Sequence, residues 1–114
     1  MHIDSYQFGK IIINGSVYDN DIKIIHGVVH PNWWRKQGHS LLPEDIEDIL
    51  QASPSVLIIG CGASAMMDVP DETQKILKKH NIRFEILDTA KAVHRLNELS
   101  KGCENLAAAL HLTC

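Results

Sequence analysis

The segment Ser55-Val56-Leu57-Ile58-Ile59, closed by Gly60, constrains this chain more than any other. An unbroken apolar run of that length is too short for a buried helix and lacks the alternation of a half-solvated strand. It predicts a strand covered on both faces, at the centre of a sheet. Layers must therefore lie above and below it, and the flanking sequence supplies them. Pro43 suits the first position of a helix, Glu44 and Asp45 suit the positive end of its dipole, and Ile46, Ile49 and Leu50 share a face. This gives a helix over residues 43–52, ended by Ser53-Pro54. Pro70, Asp71 and Glu72 repeat that start for a second helix over 70–80, with Ile76 and Leu77 as its stripe and Lys78, Lys79 and His80 at its negative end. Ile82 to Leu87 reads as a second strand. Thr89 is placed to cap a third helix in which Val93, Leu96 and Leu99 face the core before Gly102 stops it, and Asn105 to Leu112 reads as the last strand.

Strands alternating with helices at these spacings pair in parallel through right-handed crossovers, so the second half is Rossmann-like. In residues 1–30 the β-branched runs Lys10 to Ile13 and Ile22 to Ile25 are separated by Asn14-Gly15 and Asp19-Asn20-Asp21. These read as two or three short antiparallel strands that join the main sheet or cover one of its faces. Val28 to Leu42 shows neither the strand nor the helix period and reads as a long ordered loop. At 114 residues, 1–114 is expected to be one domain, because two units would each have too little core.

Composition narrows the function classes. The formal charge of -3 arises from 14 acidic against 11 basic residues with no basic stripe, so no nucleic-acid partner is expected. The start, MHIDSYQFGK, lacks a basic-then-apolar leader, and no window approaches the ~18 apolar residues of a membrane span. A cytoplasmic protein without membrane contact is the expectation. Cys61, Cys103 and Cys114 form neither a disulfide framework nor a CxxC pair and are read as reduced thiols. Seven histidines invite a metal, but none share HxxxH spacing on a helix, so no metal and no cofactor is predicted.

Two segments carry groups capable of chemistry. Gly60-Cys61-Gly62-Ala63-Ser64-Ala65 formally matches the GxGxxG/A dinucleotide pattern, and Asp88 ends the next strand where a ribose-binding acid would sit. Met66 to Pro70, however, separates the loop from the next helix, and Asp68 opposes a phosphate, so the glycines read first as a tight strand exit. In Trp33-Trp34-Arg35, with Gly38-His39 after it, Arg35 can clamp a carboxylate or phosphate, a tryptophan can supply a stacking wall and His39 can move a proton. Equally, one tryptophan can plug the core between the N-terminal strands and the sheet while Arg35 binds loop carbonyls. Cys61 is either a packed thiol or a nucleophile served by His39.

Taken together, NWWRKQGHSLLPEDIEDIL, VLIIGCGASAMMDVP, DTAKAVHRLNEL and AAALHLTC resemble a family of small domains of unknown function. Its eukaryotic relatives include the adipogenesis-associated protein and a mitochondrial complex I assembly factor. The resemblance implies a three-layer α/β domain with a mixed central sheet, its last strand antiparallel, plus a small N-terminal β layer. It carries no accepted catalytic site. The matching positions are Trp34, Arg35, Gly38, His39, Gly60, Gly62 and His111, and the chain departs at Ala65, where a glycine is common. No mitochondrial targeting segment is visible, so the complex I role does not transfer, and a free-standing prokaryotic homologue is expected. The first functional expectation is a non-catalytic interaction or assembly module with unidentified protein partners. The alternative is a small-molecule or anion-binding domain in which Trp34, Arg35 and His39 meet Gly60, Cys61, Gly62 and Ser64 around one pocket. A third is a thiol or acid–base enzyme built on Cys61 and His39.

Overall fold

The computed structural model describes residues 1–102 and 105–114. Its strands are β1 (Ile3–Gln7), β2 (Lys10–Ile13), β3 (Ser16–Tyr18), β4 (Ile22–Ile25), β5 (Val28–His30), β6 (Val56–Cys61), β7 (Arg83–Leu87) and β8 (Leu106–His111). Its helices are α1 (Glu47–Ala52), entered through a 3-10 turn at Pro43–Ile46, α2 (Asp71–Lys79) and α3 (Thr89–Leu99). Every residue of β6 is buried, as its apolar run requires. The strand alternation then divides its side chains between two cores. Leu57, Ile59 and Cys61 pack with Leu41, Ile46, Ile49 and Leu77 under the first two helices. Val56 and Ile58 pack on the other side with Ala92 and Leu96 of α3 and with Ile3, Ile11 and Ile13 of the N-terminal strands. The result is the expected three-layer mixed α/β fold.

The central sheet has the order β5-β4-β8-β6-β7. From β6 the chain steps outward through α2 to β7, then back across β6 through α3 to β8. Two right-handed crossovers in opposite directions put α2 and α3 on opposite faces. The sheet is mixed, as expected, but the reversed strand is β4. The last strand runs antiparallel to β4 while running parallel to β6, because a helical crossover returns the chain in its original direction.

The strands β1-β2-β3 form a separate antiparallel sheet that covers the α3 face, so of the two placements open to the N-terminal strands the chain adopts the covering one. Asn14 and Gly15, at φ 48° and 81°, make the two-residue turn between β2 and β3. The Asn97 side chain ties this layer to α3, accepting from the Ile3 amide at 2.9 Å and donating to the Ile3 carbonyl at 2.9 Å.

Three local readings change. Val28–His30 is not loop but the edge strand β5, joined to β4 by His26-Gly27, whose φ values of 52° and 75° form the same kind of turn. Asp88 rather than Thr89 caps α3, accepting from the Lys91 amide at 2.9 Å, which gives this acid a structural role. Trp33 does plug the core, yet on the α1 and α2 face, where its Nε1–H donates to the Asp45 carbonyl. Cys103, read above as a reduced thiol, lies outside the described residues. Among those described, no helix is long and apolar enough to cross a membrane.

Candidate functional site

In an open α/β sheet the loops leaving two neighbouring parallel strands toward opposite faces open a crevice at the strands' carboxyl ends. By that rule the crevice falls between β6 and β7, whose exits lead to α2 and α3, but a buried polar cluster lies elsewhere, where β8 ends beside the start of β4. His111 ends β8. Because Ile22 pairs with Leu110, the antiparallel β4 brings Asp21 alongside His111. Arg35 reaches the same place from the loop after β5, its guanidinium carbon 5.0 Å from the Trp33 ring centroid.

These three side chains form one network. Arg35 Nη1 donates to Asp21 Oδ2 at 2.6 Å and Nη2 donates to the Gly38 carbonyl at 2.6 Å. His111 Nδ1 lies 2.8 Å from Asp21 Oδ2, and the Leu112 amide donates to Asp21 Oδ1 at 2.7 Å. Side-chain exposure is 4% for Arg35, 15% for Asp21 and 7% for His111, so water competes little with these bonds. Burial alone would raise the Asp21 carboxyl, but the bonds from His111, the Leu112 amide and Arg35 outweigh it and hold the group below its ordinary value. Facing the Asp21 carboxylate, His111 Nδ1 is assigned as the donor, and in the neutral ring that tautomer makes Nε2 the acceptor. Arg35 Nη2, 3.1 Å from Nδ1, then makes no bond to that nitrogen. The Thr113 hydroxyl lies 3.5 Å from Nε2, long for a hydrogen bond.

Above the network opens a cleft of about 260 Å³ whose lining includes Asp19, Trp34, Arg35, His39, His111 and Thr113. Trp34 stands at its mouth, 80% exposed, and the His39 ring meets His111 edge-on with centroids 6.2 Å apart. The Trp34–His39 segment singled out in the sequence thus borders the cleft. Arg35 does clamp a carboxylate, but the carboxylate is the chain's own Asp21.

The glycine loop lies beside the cleft and is closed by the residues after β8. The Gly62 amide donates to Thr89 Oγ1 at 2.8 Å, the Ala63 amide to the Thr113 carbonyl at 2.6 Å and the Met66 amide to the Cys114 backbone oxygen at 2.9 Å. Those amides are spent within the protein. A Cβ on Gly62 would fall 2.5 Å from the Cys114 oxygen and 2.8 Å from His111 Cδ2, so this glycine serves close backbone packing. Gly60 likewise lets Thr89 and Leu110 approach, each 2.9 Å from where a Cβ would stand. Ser64 is exposed and Cys61 is 2% exposed. Burial, with Asp68 adding to it and Arg35 opposing, pushes the Cys61 thiol up to about 11, a value that suits a packed thiol and not a nucleophile. Among the described residues no cluster of three or more metal-ligating side chains occurs.

Asp21 is the participant that sequence reasoning missed, since it stood in a turn-rich stretch with no motif around it. His111 entered through the family resemblance and, with His30 and His39, as one of the histidines that could cluster in space.

A family model described as a protein of unknown function, DUF498/DUF598, matches residues 3–111, and the chain belongs to that family. Among solved structures, the conserved hypothetical protein PH1505 from Pyrococcus horikoshii is similar at 28% identity and a TM-score of 0.82, with all of both chains covered. A protein described as an outer membrane protein from Bartonella henselae is 25% identical over 98% of this chain and 94% of its own, with a TM-score of 0.85. A Bordetella pertussis protein described as a Mth938-like domain shares the fold, with a TM-score of 0.71 at 20% identity over 97% of this chain and 85% of that one.

Proposed function

We propose that this chain is a small-molecule-binding domain whose site is the cleft between the carboxyl end of β8 and the loop after β5. The observation that carries the reading is His111 Nε2, an acceptor presented beneath an exposed tryptophan ledge by a buried Asp21–Arg35 pair. An acceptor at the base of a cleft and a flat apolar wall at its mouth select a ligand with a ring and an N–H or O–H donor. Charge argues for a neutral or cationic ligand in place of the anion expected from the sequence. Arg35 is offset by Asp21, the Gly62, Ala63 and Met66 amides are engaged, and Asp19 at the rim has no cationic partner among the described residues.

Thermal-shift screening tests this with two sets of compounds, heteroaromatic amides, amines and alcohols against phosphates, nucleotides and carboxylates. The first set should contain stabilisers, by about 2.7 kcal/mol at 100 times the dissociation constant, and W34A should abolish the shift. Stabilisation by the second set alone refutes the charge argument, and none by either set removes the cleft as a ligand site.

The exposure of Trp34 also supports the interaction-module reading, since buried-on-binding tryptophans anchor protein interfaces. In that case a partner protein recovered from the native host is lost on W34A while no small molecule shifts the melting temperature.

A further inference from the structure

At the opposite edge of the central sheet from β5, β7 pairs with β6 alone among the described residues. Edge strands are normally blunted, because open backbone donors and acceptors recruit another strand. Beside the charged Arg83 and Glu85, β7 presents Ile86, 41% exposed, and a groove of about 690 Å³ runs along its first half, lined by Arg83, Phe84 and Glu85 and bordered by Lys78 of α2 and by Arg95 and Leu99 of α3.

We infer that β7 joins the β7 of a second copy of this chain, antiparallel about a two-fold axis centred on Glu85, to make one continuous ten-stranded sheet from two five-stranded ones. The sequence Arg83-Phe84-Glu85-Ile86-Leu87 is self-complementary in that register. Phe84 stands opposite Ile86 of the partner, and Ile86 opposite the partner's Phe84, an aromatic and β-branched pairing repeated twice on one face. On the other face Arg83 lies diagonal to the partner's Glu85, again twice. Glu85 meets its own mate at the axis, where like charges would repel, but Arg95 holds each Glu85 carboxylate through both oxygens at 3.0 and 3.1 Å.

The same axis makes a second match. A two-fold normal to the sheet keeps α2 and its mate on one face and antiparallel. α2 packs over the β6 and β7 side chains, so the two helices come side by side across two strands, about 10 Å apart, the distance at which helices pack. The acidic first turn of α2, Asp71 and Glu72, then faces the basic last turn, Lys78 and Lys79, of the partner. Strand and helix charges are thus complementary under one symmetry operation, which identifies the occupant of the edge as a second copy.

Sedimentation equilibrium on the intact protein tests the inference. Wild type should reach about 26 kDa, twice the 12.8 kDa of one chain, with a mass that rises with concentration. R83E sets an acid against the partner's Glu85, and E85R sets a base against the partner's Arg83, so each variant alone should dissociate at least tenfold more readily. Mixed in equal amounts, the two variants restore both acid–base diagonals and bring opposite charges together at the axis, so the mixture should dimerise at least as well as wild type. That rescue also shows that both variants are folded. Wild type remaining at 12.8 kDa to millimolar concentration, single variants that dimerise unchanged, or a mixture that stays monomeric would each overturn the proposal.

Discussion

Replacing Asp21 by Asn should cost this protein about 3 kcal/mol. The carboxylate accepts from Arg35 Nη1, His111 Nδ1 and the Leu112 amide. Asn keeps one oxygen for these three donors and turns an amide N–H₂ toward the others, while Arg35, 4% exposed, loses its counter-charge. Breaking a buried pair by removing one partner costs about 3–5 kcal/mol, and the 15% exposure of Asp21 favours the lower end. At about 4 °C per kcal/mol for a chain of this size, the melting temperature should fall by roughly 12 °C. The deficit should depend on pH in a set direction. A carboxyl held below its ordinary 3.8 in the folded state contributes stability that is fully present above that value and is lost as pH falls through the lowered one. Urea titrations of wild type and D21N should therefore differ by a constant amount from about pH 5 upward and begin to converge only below about pH 4. The double variant D21N/R35M removes both charges and should be at least about 1 kcal/mol more stable than the two single losses added together. A D21N penalty under about 0.5 kcal/mol, or one that does not shrink in acid, refutes the account of the network.

Further outcomes follow from other parts of the site. Gly62→Ala requires a side chain at φ 101° and against the backbone oxygen of Cys114, and calorimetry should show a loss of about 2–4 kcal/mol. Thr89→Val leaves the Gly62 amide without its acceptor and the His111 carbonyl without its donor, and the same measurement should show a loss of about 1–3 kcal/mol. Iodoacetamide at pH 8 followed by peptide mass spectrometry should modify the exposed Cys114 and spare Cys61 for as long as the protein is folded. Trp34→Ala removes an 80% exposed side chain and should leave stability within about 0.5 kcal/mol of wild type, so any loss of binding is attributable to the cleft.

The layers of this fold were legible because single segments encode them. Val56 to Ile59 is apolar at every position, and only a strand buried on both faces is stable with that pattern. Pro43, Pro70 and the acids after them mark helix starts through backbone geometry and dipole charge, which are local effects. Errors arose where the deciding partner lay elsewhere in the chain. β5 is three residues long and largely exposed, and its turn is His26-Gly27 in place of the Asn-Gly or Asp-Gly that marks such a hairpin in a sequence. Thr89 resembles a cap, yet its hydroxyl is consumed by Gly62 and His111, so the preceding Asp88 takes the end of the helix.

The site was less legible for a related reason. Asp21 and His111 are separated by 90 residues, and what joins them is the register of β4 on β8, Ile22 opposite Leu110 and Ile25 opposite Ala107. Register is written into a sequence by alternation, since a one-residue slip exposes the wrong face. Here Ile24, Ile25 and Ala107 to Leu110 are buried whichever face they point to, so the hydrophobic pattern alone leaves several pairings equally satisfied. The polar residues just beyond the strands remove that freedom. Slipping β4 by two residues would separate Asp21 from His111 and the Leu112 amide and leave an ionised Arg35 in the core without its partner. The network under the cleft therefore also selects the strand pairing that builds the cleft, and its side chains bear on the fold as directly as on any ligand.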